Sequence, residues 1–128
     1  MRTYGDRALV SGHGRLTEDG SPLGPFGRVP DDVSPEEAQA SARATALAIF
    51  AAVKRAIGSL DAVRAWLTVD GYVNASAGYA QTTAVLNTLS ELILDVFGAE
   101  RGAHARTAIG VDALPLNLPV VVRAQLAI

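Results

Sequence analysis

The segment from His104 to Ile128, HARTAIGVDALPLNLPVVVRAQLAI, constrains this chain more than any other. Two apolar runs, Ala105 to Leu114 and Leu118 to Ile128, flank a Leu114-Pro115-Leu116-Asn117-Leu118-Pro119 elbow. Val, Ile, Leu and Thr dominate the runs, while Pro and Asn punctuate between them. That is the pattern of two strands joined by a short, stiff connection. Inside the first run stands a full positive charge, Arg106. Taking a guanidinium out of water is costly unless a partner is supplied. Such an arginine either reaches water or an acidic side chain at a strand edge, or it asks for an anion.

The upstream elements follow from local signals. Arg7 to Gly12 (RALVSG) predicts a short strand, and Gly12-His13-Gly14 then lets backbone approach backbone or a ligand. Glu18-Asp19-Gly20-Ser21 is a turn, and Pro22 to Pro30 an irregular loop. At Ser34-Pro35-Glu36-Glu37 a helix opens, with Ser at the N-cap, Pro in the first position and Glu in the third. Ala42, Ala46, Ile49, Val53 and Ile57 form its apolar stripe, with Phe50 beside them, and Gly58 closes it. Ala62 to Val73 predicts a strand bent at Asp70-Gly71. Val63, Ala65, Leu67 and Val69 should share one face, and Arg64, Trp66, Thr68 and Asp70 the other. After a loop from Asn74 to Tyr79, a second helix runs from about Ala80 to Phe97, ended by Gly98. Its stripe is Val85, Leu89, Leu92, Ile93, Val96 and Phe97. Ala99 to Ala103 reads as a polar loop. The expected fold is α+β: one sheet, closed by a hairpin-like pair, with both helices on one face. Ala8, Val10, Val120 to Val122 and Leu126 leave little that is polar for the other face, so self-association is expected to bury it.

Composition narrows the function. A chain of 128 residues predicts one domain, 1–128, and 49% apolar residues place it among globular proteins. A net charge of −2 and an aromatic content of 5% provide neither a basic field nor stacking platforms, so no nucleic-acid partner is expected. Cysteine is absent, which removes disulfides and thiolate chemistry. The start, MRTYGDRALV, has no basic region followed by an apolar one, and Ala44 to Val53 is too short to span a bilayer. A soluble cytoplasmic protein without a membrane partner is the expectation. His13 and His104 lack the ligand spacing of a metal site, so neither metal nor cofactor is expected. Ser11 and His13 form a conceivable nucleophilic pair, but residues two apart on a strand seldom reach hydrogen-bond geometry. Asn87 lies mid-helix among apolar residues, where it either bonds to local backbone or faces a ligand. His104 either is a solvated residue at the strand start or adds positive charge beside Arg106.

Several strings together resemble one family. They are VSGHG at Val10 to Gly14, the helix opening SPEEA, VLNTLSELILDVFG at Val85 to Gly98, and HARTAIGVDALPLNLPV. These are similar to the Rid (YjgF) family, often labelled endoribonuclease L-PSP, and within it to a less characterised bacterial branch. The similarity runs from about Gly5 to Ile128, and Ala105-Arg106-Thr107 followed by Leu114-Pro115 carries it most specifically. The resemblance implies a chorismate-mutase-like fold, a homotrimer and clefts between neighbouring subunits. It also implies that Arg106 clamps a substrate carboxylate while water hydrolyses an enamine or imine to a ketone and ammonia. Ser11, Gly12, His13 and Asn87 fall at cleft positions of the family. Three departures accompany this. Family deaminases carry Glu in the last strand, where Val120-Val121-Val122-Arg123 stands here, so Val121 replaces a water-positioning acceptor. Ala108 stands for a family Cys. The family's first strand, with its cleft-lining Tyr, is expected upstream of Met1.

Two function classes remain. One is a binder of a small carboxylate or imino-acid-like metabolite at Arg106, with weak or altered imine hydrolysis of the deaminase (C–N hydrolase) type. The other is a non-catalytic binding or scaffold protein of the same fold. Ribonuclease activity ranks last.

Overall fold

The computed structural model describes all residues from Met1 to Ile128. The chain passes through β1 (Arg2–Tyr4), β2 (Arg7–His13), α1 (Pro35–Ile57), β3 (Ala65–Asn74), α2 (Thr82–Arg101), β4 (Ala105–Val111) and β5 (Val120–Ala127). The strands form one sheet in the order β1-β2-β5-β3-β4. β4 runs parallel to β3, while the other neighbours are antiparallel. Both helices cover the same side, and their apolar faces join the sheet in a cluster of 23 buried residues. The α+β architecture therefore forms as the residue patterns imply.

The limits of α1 are local chemistry. Ser34 Oγ accepts from the Glu37 amide at 3.1 Å, and Glu37 Oε1 accepts from the Ser34 amide at 3.1 Å. A cap of this kind stabilises by about 0.5–2 kcal/mol. At the other end Gly58 adopts φ 86°, the left-handed conformation that suits glycine, and its amide bonds to the Lys54 carbonyl. Gln39 and Thr88 tie the two helices together: Gln39 Nε2 donates to Ala84 O, and Thr88 Oγ1 to Gln39 O.

Several expectations need correction. The last two strands are not a hairpin, because β3 lies between them. The elbow folds into a short 3-10 turn, Pro115–Asn117, with Leu116 at φ 59° and Asn117 at φ 55°. This turn crosses the end of β3, where the buried Asn74 amide donates to Asn117 Oδ1 at 3.2 Å and to Leu118 O at 3.3 Å. β5 is thereby delivered to the far side of β3. The expected faces of β3 also fail, since a register irregularity between Trp66 and Thr68 breaks the alternation. Trp66 and Val69 consequently both face the helices, and Trp66 completes an edge-to-face triangle with Phe50 and Phe97 at 5.9 and 5.5 Å. Gly71 is not a bend. A Cβ there would sit 2.5 Å from Leu86 Cδ1, so glycine lets α2 lie directly on β3.

α2 continues past Gly98, which interrupts it with φ 81° and ψ 168°, and Arg101 closes the last turn by donating to Val63 O and Leu60 O. An edge strand with no signal in the sequence, Arg2–Tyr4, pairs with β2, so a first strand stands within the chain. The residues expected to make the uncovered face apolar point the other way. Ala8, Val10, Val120, Val122 and Leu126 are buried beneath the helices. The strand period of two leaves Val121 alone of its triplet on the open side. That side is mixed, with Leu9 41% and Ile109 45% exposed beside Asp70, Arg123 and Gln125.

Candidate functional site around Arg106

β4 is an edge strand, and its alternation turns Arg106 toward α2, together with His104 and Ala108, all half-buried. α2 meets them with residues three apart, Asn87 and Ser90, which share one helix face. Arg106 Nη2 donates to Asn87 Oδ1 at 2.9 Å, and Nη1 donates to Ser90 Oγ at 3.1 Å. No carboxylate joins them: the ion pairs of the chain are Arg7–Asp6, Arg28–Asp112 and Arg123–Asp70. Two neutral acceptors thus hold the guanidinium in place and leave its charge uncompensated. The remaining N–H groups of that planar fork suit a carboxylate bidentately.

A histidine completes the cluster. Ser90 Oγ lies 2.9 Å from His104 Nε2, and His104 Nδ1 lies 2.7 Å from the Gly102 carbonyl. A carbonyl only accepts, so Nδ1 carries hydrogen and in the neutral ring Nε2 is left to accept from Ser90. The ring is further placed by Trp66, with centroids 6.5 Å apart. His104 is therefore a held member of the site and not a solvated strand-start residue. Ala108 flanks Arg106 on the same strand, where its carbonyl accepts from Thr82 Oγ1 at 3.0 Å. Asn87 is exposed and bonded to Arg106; it is not the buried residue tied to its own backbone that one reading allowed.

The other sequence-derived positions lie elsewhere in the chain. Ser11, Gly12 and His13 sit on β2, three strand spacings from β4, about 14 Å across the sheet. His13 Nδ1 bonds to the Ser11 carbonyl at 2.7 Å, not to its hydroxyl, so no nucleophilic pair forms there. A Cβ on Gly12 would stand 3.0 Å from Val121 Cγ1, and one on Gly14 2.6 Å from Leu118 Cδ1. Side chains at these positions would crowd Val121 on β5 and Leu118 just before it. Val121 occupies the open face of β5, opposite Tyr72 of β3. On that face a hollow of about 430 Å³ lies among Leu9, Ser11, Asp70 and Arg123, with Met1 and Arg2 at its rim. Its arginine is neutralised by Asp70 at 3.0 Å. Ser90 was missed by the sequence reading, although its offset of three from Asn87 and the offset of two between His104 and Arg106 were visible signals.

Comparison with known proteins locates this fold. No family model matches the sequence. The chain is 43% identical over 88 residues to Protein TCP17 of Trypanosoma cruzi, covering 69% of this chain and 55% of that protein. It thus spans about half the length of that curated relative. The crystal structure of protein Atu1372 from Agrobacterium tumefaciens, of unknown function, superposes with a TM-score of 0.92 at 33% identity, covering 99% of this chain and 80% of that one. RidA from the Antarctic bacterium Psychrobacter superposes with a TM-score of 0.66 at 22% identity, covering 99% and 85%. No helix is long and apolar enough to cross a membrane.

Proposed function

We propose that this chain, which shares the fold of Rid proteins, is a member of the Rid/YjgF family that binds a small carboxylate-bearing metabolite at Arg106 and hydrolyses 2-imino acids there. The observation that carries this reading is a half-buried guanidinium fixed by Asn87 and Ser90, with no acid of its own. A charge-assisted pair with a ligand carboxylate contributes about 1.5–3 kcal/mol, or roughly ten- to a hundredfold in affinity. Hydrolysis adds water across the C=N bond and releases ammonia and a 2-keto acid. The site then holds the substrate by its carboxylate and leaves the imine carbon open to water.

The cleft of this reading lies between subunits of a homotrimer. Ser11 to His13 lie three strands from Arg106 within one chain, so they flank it only if a second copy supplies them. The mixed apolar and polar open face, with Leu9 and Ile109 exposed, supports burial against such copies. Sedimentation at micromolar concentration is expected to give a trimer, and a stable monomer would remove the inter-subunit cleft. Val121 favours a second reading. An aliphatic group stands where an acceptor would orient water, which fits a ligand-binding or scaffold protein without turnover.

Calorimetry with 2-ketobutyrate, together with an ammonia-release assay on a freshly generated 2-imino acid, separates these readings. Binding with turnover supports the hydrolase, and binding alone supports the second reading. If Arg106→Ala binds 2-ketobutyrate as tightly as the parent, Arg106 is not the site.

A further inference from the structure

The Ser90 hydroxyl stands between the Arg106 guanidinium and a ring nitrogen of His104. We propose that Ser90 and His104 form the proton-transfer pair of the Arg106 site, with the Ser90 hydroxyl relaying a proton between the reacting water and His104 Nε2. The inference rests on the reading of Arg106 as a carboxylate clamp and adds the group that handles protons beside it.

Ser90 Oγ stands between two partners, Arg106 Nη1 at 3.1 Å and His104 Nε2 at 2.9 Å. The guanidinium only donates, so it occupies a lone pair of Oγ. Gly102 O at 2.7 Å holds hydrogen on His104 Nδ1, which leaves Nε2 of the neutral ring as the acceptor for the Ser90 hydroxyl. Hydroxyl, imidazole and backbone carbonyl are thus aligned as nucleophile or relay, base and orienting group. Half-burial of Ser90 and His104 shelters the pair without sealing it from a ligand on Arg106. No carboxylate lies within ion-pair distance of the ring. Across β3 it meets the neutral Trp66, on α2 it meets Ser90, and on its own strand the charge linked to it is Arg106.

The chemistry balances without a further reactant. A protonated 2-imino acid bound by its carboxylate is attacked by water, forming the C–O bond as the C=N π pair moves to nitrogen. The water proton passes to Ser90 Oγ as the Ser90 proton passes to Nε2, leaving a neutral carbinolamine and an imidazolium. The imidazolium then returns its proton through Ser90 to the amine, the C–N bond breaks, and the hydroxyl proton leaves with the nitrogen as ammonium. Ketone and ammonium are the products, and Ser90 and His104 return to their starting states.

The test uses the parent protein, His104→Gln, Ser90→Ala, Ser90→Thr and Arg106→Ala. Each is assayed for 2-ketobutyrate affinity by calorimetry and for 2-imino acid hydrolysis above the spontaneous rate across pH. Alanine suits mid-helix, and glutamine still accepts from Ser90 but takes up no proton, so folding is retained. In the parent, kcat/KM is expected to fall toward acid pH as Nε2 becomes protonated. His104→Gln should lose roughly 10²–10⁴-fold in kcat and lose that acid limb. Its 2-ketobutyrate affinity should stay unchanged. Ser90→Ala should behave alike in rate, with affinity lowered less than in Arg106→Ala, because Asn87 still holds the guanidinium after the charge-assisted bond to Ser90 is lost. Ser90→Thr keeps the hydroxyl and should restore most of the rate. Imidazole nitrogen NMR supplies an activity-free arm, with the neutral His104 ring expected to be protonated at Nδ1.

A proton on Nε2 of the neutral ring overturns the pair. So does a His104→Gln protein that keeps the parent rate and acid limb. Parent protein that binds 2-ketobutyrate through Arg106 but hydrolyses no imine overturns the pair and leaves the binding reading standing. Equal affinity in Arg106→Ala and the parent overturns both.

Discussion

Arg106 and Arg123 are both arginines set into apolar strands, and the fold treats them oppositely. Arg123 lies on the open face of β5, and its Nε is 3.0 Å from Asp70 Oδ2 on β3, with its side chain 58% exposed. Arg106 lies on the covered face of the edge strand β4, where α2 offers it Asn87 and Ser90 but no acid. The first arginine is neutralised where water already screens it, and the second stays charged where screening is weaker. Partner chemistry, more than position in a strand, separates a structural arginine from one available to a ligand.

The contrast can be broken most strongly at Arg106 itself. Arg106→Ala should weaken 2-ketobutyrate binding by roughly ten- to a hundredfold, and Arg106→Lys nearly as much, because the ammonium keeps the charge but loses the planar fork. Arg123→Ala should leave that affinity unchanged in the same calorimetric titration. A loss with Arg123→Ala comparable to that of Arg106→Ala would abolish the distinction.

Gly71→Ala comes next, because it acts on one face of β3 only. The added Cβ would stand 2.5 Å from Leu86 Cδ1 and press α2 away from the sheet. Overpacking of this kind costs about 1–3 kcal/mol, read as a lower urea midpoint. Asn87 and Ser90 should move with α2, so 2-ketobutyrate affinity should fall, while the Arg123–Asp70 pair on the other face keeps its geometry. Unchanged affinity would show that Arg106 is held by something other than α2.

Asp70→Asn should have a smaller effect. Its pair with the exposed Arg123 is worth about 0.2–1 kcal/mol, and the loss should shrink further as salt is raised. Thermal unfolding at low and high ionic strength provides the check, and a larger, salt-independent loss would mean the pair is more buried than its exposure implies.

The smallest expected effect lies far from both arginines and serves as their control. Hydrogen bonds from Thr17, then Ser21, hold the fully exposed Asp19 carboxyl at a pKa of about 2, below the ordinary 3.8. A depressed carboxylate adds stability above its unfolded pKa, and that contribution is lost as pH falls through about 2. Thr17→Ala should raise the Asp19 midpoint in an NMR titration and flatten this acid dependence, leaving ligand binding untouched.

What the sequence alone determined about this protein is what depends on neighbours along the chain. The ends of α1 were legible because Ser34 and Glu37 cap each other over three residues, and Gly58 supplies the left-handed stop. Arg106 was legible as an anomaly because a charge stands out in an apolar run. Asn87 was legible only as a poor helix former, without its partner. Strand order, the faces of β3 and the Ser90–His104 contact were decided by tertiary structure. One irregularity after Trp66 reverses which residues of β3 are buried, and no local propensity marks it. The elbow gives a turn in either topology, and tertiary bonds carry it past β3, from the buried Asn74 to Asn117, Leu118 and Pro119 and from the Gly27 amide to the Asn117 carbonyl. The cluster joins residues 14 to 19 positions apart, so it exists only because α2 lies over β4. Glycine at position 71 is what allows that helix to settle onto the adjoining strand.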